Sequence, residues 1–152
     1  MDLCEKQKTL VMHSWELMRP NLGNLSVRFF TEVLDNIPEA RDMFYFLKDY
    51  KDSPHNNQKL KTHALVVFKL TCNSAVRFQE KGDIALSEDA LKKLGSIHLK
   101  KNVKDSHFEV MKGALLKIVH EGVGEQWSDE LGKAWGVAYD RLAEAIKIKM
   151  NE

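Results

Sequence analysis

Cysteine is scarce. Only Cys4 and Cys72 occur, and neither belongs to a CxxC pair, which excludes a disulfide framework and a redox or zinc dithiol. Cys4 is expected at the surface near the terminus and Cys72, in LTCNSA, as a small half-buried helix residue, so a reducing compartment is the simpler setting. Charge of one sign is lacking too. Lys plus Arg number 23 against 22 acidic residues, a net charge of +1, and the basic residues are spread along the chain. A nucleic-acid partner would call for a basic cluster. No uninterrupted apolar run exceeds the five residues of 64–68, far short of the roughly 20 that a membrane helix needs. The first residues carry Asp2 and Glu5 with no apolar signal core, so the expected location is cytoplasmic, with the nucleus also open.

Motifs for several chemistries are missing as well. There is no HExxH, no Glu three residues before a His, no GxSxG and no glycine-rich phosphate loop. Metalloprotease, di-iron, serine-hydrolase and nucleotide-binding readings therefore have no support.

What remains is helical. At 152 residues with 43% hydrophobic side chains, the chain suits one domain, 1–152, with a sizeable core. Strand-like alternation bounded by hairpin turns is absent, as is any internal repeat, so the expected class is all-α. Leu10, Val11, Trp15 and Met18 predict a first helix over 5–19, closed by Pro20. Leu25, Phe29, Phe30, Val33, Leu34 and Ile37 give the second a broad apolar face. Pro38 opens a short helix that ends near Phe44, and 48–57 reads as a loop containing Pro54. A third long helix spans about 57–81 with Gly82 as a left-handed stop. Ser87, Asp105 and Ser128 are the expected caps of the next three, the last two ending near Gly122 and Met150. Six or seven helices of mixed length suggest an orthogonal globule rather than an up-down bundle.

Two histidines stand out on this framework. His63 shares a helix face with Leu60, Ala64, Val67 and Thr71, and His98 shares one with Leu91 and Leu94. If the two helices fold back on each other, both imidazoles face a common slot. Periodicity leaves two readings open. Each histidine can be a hydrogen-bonded core residue, or the pair can serve a metal-bearing planar cofactor whose macrocycle explains the apolar walls.

The strings MFYFL, NNQKLKTHALVVFKLTC, LKKLGSIHLK, HFEVMKGALL and WGVAYDRLAEAIK resemble the plant haemoglobins in order and spacing, over nearly the whole chain. The resemblance implies a globin fold of six to eight helices enclosing haem b, with His98 as proximal and His63 as distal iron ligand. It also implies haem contacts from Phe30, Phe44, Val67, Leu94 and Val103. His98 would donate its other ring hydrogen to the Leu94 carbonyl or the Ser96 hydroxyl. Phe30 is similar to the residue of non-symbiotic haemoglobins, where leghaemoglobins usually have Tyr, and GSIHL and HFEVMKGALL resemble class two. That implies a reversible six-coordinate state in which His63 either stabilises bound oxygen or occupies the sixth site. The implied ligands are O2, NO, CO and nitrite, with conversion of NO to nitrate or reduction of nitrite to NO supported by an external reductase. An oxygen carrier of symbiotic type with an open sixth site is the alternative; monomer and homodimer are both open. Val66 departs from the family, since many globins have a basic residue there that pairs with a haem propionate. Lys59, Lys61 and Lys101 are the substitutes nearest the histidine motifs. His13, His55, His107 and His120 are expected to be surface or packing residues.

Overall fold

A computed structural model describes residues 5–83 and 86–152. Cys4 and the side chain of His55 lie outside the described set. Among the described residues there are six α-helices and no strand: α1 (Glu5–Met18), α2 (Leu22–Asn36), α3 (Gln58–Lys81), α4 (Glu88–Lys100), α5 (Asp105–Val123) and α6 (Asp129–Met150). None of them is long and apolar enough to cross a membrane.

Local chemistry sets most boundaries. Asn57 caps α3 by accepting from the Lys59 and Leu60 amides at 3.0 and 3.1 Å, and Gly82 stops it with φ 82°, a conformation that costs other residues. Ser87 and Ser128 cap α4 and α6 through the Ala90 and Leu131 amides, each at 3.1 Å.

The short helix expected after Pro38 is present as the 3-10 segment Pro38–Met43, ending against an extended Phe44. One boundary expectation is corrected. Asp105 is the first residue of α5 and not its cap. Lys104 occupies that position, and its amide donates to His107 Nδ1 at 3.0 Å. Helix α5 ends at Val123, next to Gly122 as expected, and Gly124 takes the positive φ of 56°.

The core joins α1, α2, α3, α5 and α6. Phe29 and Phe68 are both fully buried with ring centroids 5.3 Å apart, each burial worth about 1.5–3 kcal/mol. Trp135, also fully buried, donates from Nε1 to Ser14 Oγ at 2.9 Å, so its polar atom is satisfied. Cys72 is fully buried rather than half-buried, and burial pushes its thiol far above the ordinary range, which makes it inert.

Helix α4 leans mainly on α6, with Leu91 and Leu94 packed against the edge of that core. At Gly95 a Cβ would come within 2.6 Å of Lys149 Cβ and 2.9 Å of its backbone carbon, so the approach of the two helices depends on glycine. Held there, α4 leaves a gap toward α3.

Candidate functional site

That gap is a cavity of about 340 Å3. Phe30, Phe44, His63, Val67, Leu94, His98 and Val103 all line it. Helix α3 supplies His63 and Val67, α4 supplies Leu94 and His98, and α6 forms the floor with Tyr139, Leu142 and Ile146.

His63 sits in an aromatic cage. Its ring centroid lies 5.4 Å from Phe30, 5.2 Å from Phe44 and 5.9 Å from Phe46. Burial lowers its pKa from the ordinary value, and the positive charge of Lys101 lowers it further. No hydrogen-bond partner for its ring is found among the described residues. On the opposite wall His98 Nδ1 lies 2.6 Å from the Leu94 carbonyl. A carbonyl only accepts, so Nδ1 carries the hydrogen and Nε2 keeps a free lone pair. Ser96 takes no part in this bond. Phe108 stacks on the His98 ring at 5.6 Å and 15°. Burial lowers the His98 pKa, partly opposed by the Leu94 bond. Both imidazoles are thus biased to the neutral form that binds metals.

The other polar groups on the wall are already engaged. Thr71 donates to the Val67 carbonyl and Tyr139 to the Phe108 carbonyl, both at 2.8 Å. Lys101 Nζ donates to the Met43 carbonyl, and both His107 nitrogens are bonded. Inside the Lys101 ammonium at its mouth, the slot is therefore apolar apart from the free nitrogens of His63 and His98. Among the described residues, no group of three or more His, Cys, Asp or Glu side chains is placed to hold a metal ion. A metal here must bring its remaining ligands with it, which is what a macrocycle does, and these residues fit a haem.

Of the three lysines nearest the motifs, only Lys101 lines the cavity. Lys59 lies over the exposed Tyr45 ring at 5.0 Å in a neighbouring recess, and Lys61 is exposed. Val66 lines the cavity while 59% exposed, and Ile97 while 49% exposed, so they mark the rim. His13 and His120 are exposed, the latter stacked on Trp127 at 4.6 Å. His107 goes beyond packing: it is buried, lines the cavity and meets Glu39 Oε1 at 3.1 Å. No sequence signature marks an imidazole that caps its own helix. The α6 floor carries a helical stripe, but a stripe alone does not tell core from cavity.

Comparison with known proteins agrees with this architecture. The globin family model matches residues 27–146. An anaerobic nitrite reductase of Solanum lycopersicum is 51% identical, over 99% of this chain and 97% of its own. An anaerobic nitrite reductase of Arabidopsis thaliana is 47% identical, over 97% and 94%. Among solved structures, the neuroglobin of the photosymbiotic marine acoel Symsagittifera roscoffensis superposes with a TM-score of 0.81 at 25% identity, covering 99% of both chains. A match of this extent, with identities of this size to plant proteins over nearly their whole length, places the chain in the globin family, among the plant haemoglobins.

Proposed function

We propose that residues 1–152 form one cytoplasmic globin domain that holds haem b in six-coordinate form, binds O2, NO and CO reversibly, and reduces nitrite to NO. The observation that carries this reading is the pair of half-buried imidazoles with free nitrogens on opposite walls of one apolar cavity. The names of the plant relatives supply the nitrite reaction.

His98 would be the permanent iron ligand, its tautomer fixed by Leu94 so that Nε2 is the coordinating atom. His63 would be the reversible one. Free of a protein partner, its ring can donate to a bound ligand or take the sixth site itself. Phe30, Phe44 and Val67 exclude water, and Leu94 and Val103 complete the proximal side. When bound, the haem would supply gas binding, conversion of NO to nitrate, and one-electron reduction of nitrite, with electrons from an external reductase.

Two measurements on the haem-loaded protein test this. The ligand-free ferrous spectrum should show sharply split visible bands; a single broad band would overturn six-coordination and favour an oxygen carrier with an open site. Under anaerobic conditions with excess dithionite, added nitrite should yield the ferrous NO spectrum. Failure to form it would remove the nitrite reaction while leaving gas binding intact.

A further inference from the structure

Two side-chain bonds tie the corner between α4 and α5 to the segment that ends in Phe44. Lys101, just after α4, donates to the Met43 carbonyl and holds its ammonium over the Phe44 ring, 5.4 Å from the centroid. His107 faces Glu39 in the same 3-10 segment. Its Nδ1 accepts the Lys104 amide, so the hydrogen of the neutral ring sits on Nε2 and is donated to Glu39 Oε1 at 3.1 Å. The partners are 58 and 68 residues apart in the chain. The segment Pro38–Met43 itself packs on α2, so side chains rather than helix packing join it to the corner.

Each end of this junction touches one histidine. On the corner side, the Val103 amide donates to the His98 carbonyl at 3.0 Å. On the other, Phe44 is packed 5.2 Å from His63 and 5.2 Å from Phe30. The two walls of the slot are thereby fastened across its mouth.

We propose that Lys101 and the His107–Glu39 pair form a strap that sets the ratio of closed protein, with His63 on the iron, to open protein, with His63 off it. The inference rests on the six-coordinate reading. The closed form needs both imidazoles to reach one iron between them. A tie that holds the Phe44 wall toward the His98 corner favours that narrow arrangement over the relaxed one. These are positioning residues; Glu39 does not line the cavity.

The test uses the haem-loaded full chain, with the ligand-free ferrous spectrum and the amplitude of fast CO binding as readouts. Glu39→Ala removes the acceptor and Lys101→Met the donor. The Glu39 side chain is 60% exposed, so its loss leaves the core intact. Each variant is expected to raise the open-to-closed ratio about fivefold, at the low end of typical coupling between sites. Glu39→Gln and Lys101→Arg, which keep an acceptor and a donor, should stay near wild type. A wild type with only the broad band overturns six-coordination and the strap's role together. Split wild-type bands that persist unchanged in Glu39→Ala overturn the strap alone, whatever Lys101→Met does, because Lys101 at the mouth can also meet a haem carboxylate. An equal shift in Glu39→Gln, or a shift toward the closed form, overturns it as well.

Discussion

Because a backbone carbonyl can only accept, the 2.6 Å contact of His98 with Leu94 settles which ring nitrogen is available. Replacing His98 by Leu removes that nitrogen while keeping an apolar side chain of similar bulk. Loss of a partner that merely orients a ligand costs about 10- to 100-fold in metal affinity, so haem retention in His98→Leu should fall by at least roughly 100-fold, read by hemin transfer to a competing apoprotein. Phe30 offers a gentler probe. It is 4% exposed, with its ring 5.4 Å from His63. A tyrosine hydroxyl there would give His63 a hydrogen-bond partner worth about 1 kcal/mol. Phe30→Tyr should therefore raise the open-to-closed ratio roughly fivefold, since each 1.4 kcal/mol is a factor of ten, and the ferrous spectrum should show a larger broad component. At this scale the sequence was legible where type and position were both unusual. His63 and His98 stood on apolar stripes; His107 stands on one too, with Val110, Met111 and Ala114, but its bond to Glu39 depends on a distant segment arriving beside it.

Helix boundaries were legible where one residue determines them. Gly82, Ser87 and Ser128 each act through their own backbone or hydroxyl within one turn. The 3-10 geometry of Pro38–Met43 was not legible, because proline at a first turn suits either helix type. Nor was the meaning of Gly95, whose importance comes from α6, far along the chain. A methyl group there would press on Lys149 backbone as well as side chain, and backbone yields little. Gly95→Ala should cost about 1–3 kcal/mol of stability, the usual range for overpacking, seen as a lower urea midpoint of the apoprotein. Since α4 carries His98, the same variant should also lose haem faster than wild type. Gly122→Ala is the contrast: its new Cβ would meet Met18 Cγ at 2.9 Å and Leu25 Cδ1 at 3.1 Å, side-chain atoms rather than backbone, so a smaller loss of stability and unchanged haem release are expected.

Across the whole molecule, a dry core drives folding, and an apolar slot lies along its edge, walled by core residues such as Phe30, Phe108 and Leu142 and bounded by α4, which leans on α6. The slot holds two imidazoles whose pKa values burial has lowered, His63 with help from Lys101 and His98 against the pull of Leu94. That gives the apoprotein a pH dependence of definite sign. In the unfolded chain these groups take up protons near the ordinary value of about 6.5; in the folded chain they do so only at lower pH. Below about 6.5 the unfolded state thus binds more protons, and stability must fall as pH falls. The stability is fully present above that value and is lost progressively as pH drops through the lowered folded values. Urea unfolding of the apoprotein should accordingly show a lower midpoint at about pH 5.5 than at about pH 7.5. The double variant His63→Leu, His98→Leu lacks both proton acceptors, and its midpoint should change less over the same interval. An equal change in the double variant would assign the pH dependence to groups outside the cavity.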